Sequence, residues 1–370
     1  MNAVILGYGV VGKGIEILSK SLNSINIKYV YVRKEKENLP YFTNNEDIVI
    51  QDDIDIVFEC LNGLEPANTL IQKALKKGKH VISSNKAVIA TYLDTYLELE
   101  KEYGGSIQVE ACVAGGIPFI DALLKLKRLE PLQGYEGIFN GTSNYILDSM
   151  QKNNLDFEDV LKDAQIKGYA EKDPSNDIDG VDVYYKTKIS NSLAFNTPVV
   201  DIPYYAGIRT IKMLDIKFIK MNNKVIRHLS ISRQIGDKII SIIAPCCMDE
   251  NDFLANVPNN YNAQKILSNS FDTLGYYGQG AGQLPTAQAM IQNALDTLEN
   301  RERKIIYSTP KEFDTHLLKE TWLVRTDIPL ENYYSISKKE ANYYWIEDQD
   351  MSIIQKVKEL DKNSFIALWR

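Results

Sequence analysis

From residue 1 to about residue 120, short apolar runs alternate with stretches whose apolar positions recur every three or four residues. The runs at 2–6, 27–32, 54–60, 80–83 and 106–109 read as buried strands. Between them, 66–77 and 92–103 read as helices, the second stopped by Gly104-Gly105. That rhythm belongs to a parallel sheet with crossover helices, so the first part of the chain is predicted to be a doubly wound α/β domain. After about residue 119 the pattern changes. Amphipathic helices at 157–167 and 181–195 mix with strand-like runs at 229–233 and 238–244, which predicts an α+β second domain. Glycines then cluster at 275–282 ahead of a helix at 286–298. The tail from about 301 is rich in tyrosine and charge, with a strand predicted at 322–326 and a helix at 351–360.

Composition adds boundaries rather than chemistry. A chain of 370 residues with 44% hydrophobic and 25% charged content has enough material for two domains and a small third. A net charge of -7 disfavours a broad nucleic-acid surface. Cys60, Cys112, Cys246 and Cys247 have neither disulfide-framework nor zinc spacing, which fits reduced thiols in a cytoplasmic protein. Met1 leads straight into a strand pattern, and no run approaches the roughly 18 apolar residues of a membrane span.

The first candidate chemistry is at the first turn. Gly7-Tyr8-Gly9-Val10-Val11-Gly12 follows an apolar strand and opens a helix. The first glycine permits the tight turn, the second lets backbone approach a pyrophosphate, and the third lets strand and helix pack closely. An ordinary strand–turn–helix is the bland alternative, but the placement directly after a buried strand favours dinucleotide binding. An acidic residue at the end of the second strand would hold the ribose of NAD; Arg33-Lys34 stands there instead, which suits the 2′-phosphate of NADP. A solvated strand end would leave the same charges.

The second domain supplies the candidates for proton transfer. A helix ends near Lys167-Gly168, and the loop that follows carries Glu171, Asp173 and Asp177 around Pro174. Asp182 and Lys186 then stand four residues apart on one helical face. A surface salt bridge is the simple explanation of that spacing.

Taken together, the motifs resemble homoserine dehydrogenase over roughly residues 1–300. The resemblance rests on the glycine turn, Ser83-Ser84-Asn85-Lys86, Glu110-Ala111-Cys112-Val113-Ala114-Gly115-Gly116-Ile117-Pro118, Asn140-Gly141-Thr142-Ser143-Asn144-Tyr145-Ile146-Leu147, the string from Gly168 to Lys186, and Gly278-Gln279-Gly280-Ala281-Gly282-Gln283-Leu284-Pro285-Thr286-Ala287. It implies interconversion of L-homoserine and L-aspartate 4-semialdehyde with NADP or NAD, in the biosynthesis of threonine and methionine. Lys186 becomes the general acid/base, with Lys86 close to substrate and nicotinamide. Glu171 and Asp182 hold the amino acid, Asp177 supports the site, and Gly141 and Thr142 lie against the ligand. The cofactor falls to Gly7, Tyr8, Gly9, Val10, Val11, Gly12, Arg33, Ser84, Lys86, Gly280 and Gly282.

The resemblance also implies a monovalent-cation loop, sodium or potassium held by Glu110 and the carbonyls of Val113, Gly115 and Ile117; a plain hinge has the same composition. Cys112 lacks a convincing histidine partner, so a thioester route is disfavoured against simple hydride transfer. A homodimer is implied, with no nucleic-acid or membrane partner. The domains are then 1–118 for the nucleotide, 119–277 for substrate and dimerisation, 278–300 as a return to the nucleotide domain, and 301–370 as a short tail. Trp322 to Pro329 and Ser364 to Trp369 resemble the first and last strands of a regulatory ACT-like domain with a shortened interior, so feedback by threonine is not expected. The alternative for the tail is packing on a partner subunit through Tyr333, Tyr334, Tyr343, Tyr344 and Trp345. Two other functions stay open at this point, a non-catalytic NADP-binding regulator and another amino-acid semialdehyde oxidoreductase.

Overall fold

The alternating pattern of the first third becomes a six-stranded parallel sheet in a computed structural model that describes residues 1–33, 40–301, 305, 307 and 310–370. Two compact units divide the chain. The first holds Met1–Leu129, Lys188–Val199 and Gln279–Pro310; the second holds Glu130–Thr187, Val200–Gly278 and Lys311–Arg370.

In the first unit β1 (Asn2–Leu6) leads into α1 (Val10–Ser19), followed by β2 (Asn26–Tyr31), β3 (Phe42–Thr43), β4 (Ile56–Glu59), α2 (Ala67–Leu75), β5 (His80–Ser83), α3 (Lys86–Tyr103), β6 (Ser106–Gln108) and α4 (Phe119–Leu126). The strand order is β3-β2-β1-β4-β5-β6, every pairing parallel. The order reverses direction at β1, and the carboxyl ends of the strands beside such a switch point form a ligand crevice. Ala3, Val4, Ile5 and Leu6 are fully buried, as a strand in a sheet covered on both faces requires. The third helix starts at Lys86, well before the predicted 92, because Asn85 accepts a hydrogen bond from Val88 N and caps it.

The second unit contains β7 (Gly134–Ile138), α5 (Gly141–Asn153), α6 (Phe157–Ile166), α7 (Ser175–Ile178), the start of α8 (Val181–Phe195), α9 (Met213–Met221), β8 (Lys224–Ile235), β9 (Lys238–Asp249), β10 (Asn262–Ser268) and β11 (Asp272–Gly278). The runs predicted at 229–233 and 238–244 lie inside a long hairpin, Lys224 paired with Asp249 at one end and Ile235 with Lys238 at the other. Strands β10 and β11 were not anticipated. Asn262 and Gln264 are fully buried polar residues inside β10, so no apolar alternation marks it. Gly275 and Gly278, the first two glycines of the cluster at 275–282, therefore lie in β11.

The helix α10 (Gln283–Leu298) belongs to the first unit and packs on α1. The tail adds β12 (Glu312–Phe313), β13 (Glu320–Arg325), β14 (Lys338–Glu340), β15 (Tyr343–Gln349), α11 (Ile353–Leu360) and β16 (Phe365–Trp369) to the second unit. The large sheet runs β11-β10-β7-β8-β9-β16-β13-β15-β14. The tail strands thus adopt the order fourth, first, third, second of a βαββαβ module, with a 3-10 turn at Leu330–Asn332 where its first helix would be. Parallel pairing of Leu368 with Cys246 joins them to β9.

The tail aromatics correct one expectation. Tyr343, Tyr344 and Trp345 are only 6%, 3% and 4% exposed within this chain, so they do not form a surface for a partner subunit. Phe218 of α9 stacks on Tyr343 with ring centroids 3.7 Å apart, and both join a core with Ile216, Leu323 and Phe365. The tail thereby buries apolar area against its own domain, where a flat aromatic contact adds to the hydrophobic gain. Tyr333 is exposed.

Candidate active site

The nucleotide turn begins where β1 ends. Gly7 takes φ +94, and a Cβ there would come within 2.8 Å of Cys60 O; at Gly12 a Cβ would sit 2.1 Å from Gly7 O. Both positions therefore exclude any side chain. At Gly9 a Cβ would meet nothing within 4 Å, and Val10, the first residue of α1, is 64% exposed. The amide end of α1 thus faces a cradle clear of protein atoms, which fits a pyrophosphate. Tyr8 and Val11 flank it half-buried. The Tyr8 hydroxyl donates to Glu16. Arg33 is exposed just past β2, and Lys34 lies outside the described residues.

At the carboxyl ends of β4 and β5, Ser84 and Lys86 stand over a buried carboxylate that the sequence reading missed. Glu59 is the last residue of β4 and fully buried. It accepts from Ser83 Oγ at 2.6 Å and Leu61 N at 2.9 Å, with Asn85 Nδ2 at 3.5 Å. Asn85 N in turn donates to Ser83 Oγ at 3.0 Å. Burial pushes the Glu59 carboxyl up to about 7 against the pull of those donors. Lys86 is the first residue of α3, so the network around Glu59 lies directly beneath its helix start. Cys112 is buried with its thiol donating to Ser83 O, and burial raises it far out of the reactive range.

Glu110 is also buried, and desolvation pushes its carboxyl up to about 8. Its oxygens accept from Ile120 N at 3.1 Å and Asp121 N at 2.6 Å, in the first turn of α4. Ala114 and Gly115 take left-handed backbone conformations, while Ile117 O accepts from Phe119 N at 2.7 Å. One buried carboxylate beside a loop of carbonyls is a donor set that fits a hard monovalent cation, although the carboxylate already serves the helix start. Gly116 N donates to Gln279 O, bringing the second glycine segment beside this loop; Gly280 is buried there, and Gly282 caps α10.

In the second unit, three of the predicted residues form one hydrogen-bonded cluster. Lys186 and Asp182, one turn apart on α8, are 7% and 5% exposed, so their pairing is not the surface salt bridge that spacing alone suggests. Lys186 Nζ donates to Asp182 Oδ2 at 2.7 Å and to Phe139 O at 2.6 Å. Asp177 on α7 joins through Asn140, whose Nδ2 donates to Asp177 Oδ1 and Asp182 Oδ2. Thr142, in the first turn of α5 beside Gly141, donates to Tyr169 O at 2.6 Å and so ties α5 to the loop after α6. Glu171 is exposed on that loop and outside the cluster. Beneath, burial pushes His228 of β8 down to about 4, leaving a neutral ring that binds Ala206 O. A buried ammonium held by a carboxylate and a carbonyl is equipped to exchange a proton with an oxygen of a bound molecule.

Sequence comparison places this geometry. The family model for homoserine dehydrogenase, NAD binding domain, matches residues 7–110, and that for homoserine dehydrogenase matches residues 118–295. A homoserine dehydrogenase of Synechocystis is 37% identical over 79% of this chain and 72% of its own length. One from Neisseria gonorrhoeae is 36% identical over 71% of this chain, which spans 61% of that relative. Among solved structures, a homoserine dehydrogenase from Thiobacillus denitrificans has a TM-score of 0.87 at 27% identity, covering 100% of this chain and 98% of that one. A hyperthermophilic archaeal homoserine dehydrogenase, solved in complex with NADPH, shares the fold with a TM-score of 0.71 at 24% identity over 82% of this chain and 99% of its own. Among the described residues no helix is long and apolar enough to cross a membrane. The chain belongs to the homoserine dehydrogenase family and is an oxidoreductase with a nicotinamide-binding domain.

Proposed function

We propose that the enzyme interconverts L-homoserine and L-aspartate 4-semialdehyde, with Lys186 as the acid/base at the substrate oxygen. The buried Lys186–Asp182 pair, fixed further by Phe139 O, carries this reading. The nicotinamide cofactor, when bound, accepts or supplies the hydride. Lys186 takes the hydroxyl proton on oxidation, returns it on reduction, and stabilises negative charge on the oxygen between the two. Asp182 and Glu171 hold the substrate's ammonium group, Asp177 supports them, and Gly141 and Thr142 line the ligand. Lys86 serves the substrate and nicotinamide from the start of α3.

The cofactor is held by the turn from Gly7 to Gly12, with Ser84, Gly280 and Gly282. Arg33 inclines the site towards NADP, because a guanidinium at the end of β2 suits a 2′-phosphate. Sodium or potassium is held by Glu110 with the carbonyls of Val113, Gly115 and Ile117, where positive charge offsets the burial that raises Glu110. The active species is a homodimer, which light scattering checks. The function is tested by following nicotinamide absorbance with L-homoserine, using NADP and NAD in turn, in sodium, potassium and choline chloride. Oxidation of homoserine faster with NADP and accelerated by either small cation is the expected result. No turnover with either cofactor contradicts the assigned reaction.

A further inference from the structure

Asn140 precedes Gly141 and Thr142, the two residues of its motif assigned to the ligand, but its own side chain is turned inward and 4% exposed. Three hydrogen bonds fix it. Nδ2 donates to Asp177 Oδ1 at 2.7 Å and to Asp182 Oδ2 at 2.9 Å, while Oδ1 accepts from Ser143 N at 2.7 Å and caps α5. We propose that Asn140 is a positioning residue for the acid/base, holding Asp177 and Asp182 together through one amide nitrogen and presenting Asp182 Oδ2 to Lys186. The proposal rests on the reading of Lys186 as the acid/base.

Chemistry explains why this position holds an amide. Two carboxylate oxygens bonded to one nitrogen stand roughly 5 Å apart, close enough to repel each other. The NH2 group donates to both without adding charge. A hydroxyl in its place has a single hydrogen to give, and a carboxylate has none. The cap on α5 fixes which end of the amide faces the acids, because Oδ1 is committed to Ser143 N. Asp182 Oδ2 receives both Asn140 and Lys186, so the strength of the first bond governs how tightly that oxygen holds the lysine's proton. Among the described residues, the titratable groups facing the cluster include Asp177 from α7, Asp182 and Lys186 from α8, and His228 from β8, whose ring is neutral.

The test compares Asn140→Asp and Asn140→Ser with the wild type in homoserine oxidation across pH. Both substitutes cap helices well, so α5 keeps its start. Asn140→Asp places a third carboxylate in the cluster. The added negative charge favours the protonated form of the cluster, so the rising limb of kcat against pH moves upward by about one unit, with kcat at pH 7 lowered about tenfold. Asn140→Ser removes one donor from Asp182 and shifts the limb in the same direction by less, which carries the test if the aspartate variant does not fold. KM for the cofactor stays at the wild-type value in both. A purely structural role changes melting temperature and leaves the limb in place; an unshifted limb in the folded variants overturns the proposal. Lys186→Ala, measured alongside, separates the two claims: wild-type activity there refutes the acid/base assignment itself, whereas an inactive Lys186→Ala with unshifted Asn140 variants refutes only the role of Asn140.

Discussion

Lys186 Nζ lies 2.7 Å from Asp182 Oδ2 one helical turn earlier, and the two side chains are only 9% and 6% exposed. Removing the carboxylate strands a buried ammonium, whereas a surface pair at the same spacing would lose little. Asp182→Ala is therefore expected to lower unfolding stability by about 3 kcal/mol at neutral pH. Urea denaturation measures this; a loss below about 1 kcal/mol, typical of an exposed pair, contradicts the buried geometry.

Glu59 makes stability depend on pH. Its folded-state carboxyl is raised by burial from 4.5 to about 7. A group raised in this way contributes stability that is complete below its unfolded value and is lost as pH climbs through the folded one. The contribution lost between about pH 4.5 and 7.5 is on the order of 3 kcal/mol. Glu59→Gln removes the titrating group, so the stability difference between variant and wild type should drift in the variant's favour across that range. Parallel stability curves would show that Glu59 titrates normally. Glu110 drifts in the same sense but is present in both proteins, so it cancels from the comparison.

Cys112 separates hydride transfer from acyl chemistry. A thioester route needs an accessible thiolate, and this thiol is buried and strongly disfavoured from ionising. Cys112→Ser should keep kcat within about threefold of wild type, since only a buried weak donor changes. Loss of most activity in a stably folded variant would reopen the covalent route.

The tail is part of the second unit's core. Tyr343 donates to Asp215 Oδ1 at 2.8 Å, Arg325 donates to the same carboxylate, and Phe218 stacks on the Tyr343 ring. Tyr343→Ala should destabilise the protein by about 4 kcal/mol, the usual cost of deleting a large buried aromatic. A melting temperature equal to wild type would instead mark the tail as a loosely attached appendage.

How far the sequence reached depended on whether a signal was local. The doubly wound sheet was legible because its strands are continuous apolar runs with a glycine turn after the first. Asp182 and Lys186 were legible from their spacing, though burial of the pair was not. Asn140 opens the motif that runs to Leu147, but its carboxylate partners are 37 and 42 residues further along the chain, and only folding joins them. Glu59 was hidden at the end of an apolar strand, where a lone acid reads as a strand terminus. The strand β10 is not marked by apolar alternation because its buried residues include Asn262 and Gln264, and Tyr343 and Trp345 read as surface because Phe218, which packs on both, is remote in sequence.

The central claim is that Lys186 exchanges the proton during oxidation of homoserine. Single-turnover oxidation with saturating cofactor, comparing wild type with Lys186→Ala, tests it most directly. General acid–base catalysis of this kind contributes at least about a hundredfold, so the variant should lose that much of the chemical step while binding cofactor as tightly as before. A single-turnover rate equal to that of the wild type would contradict it.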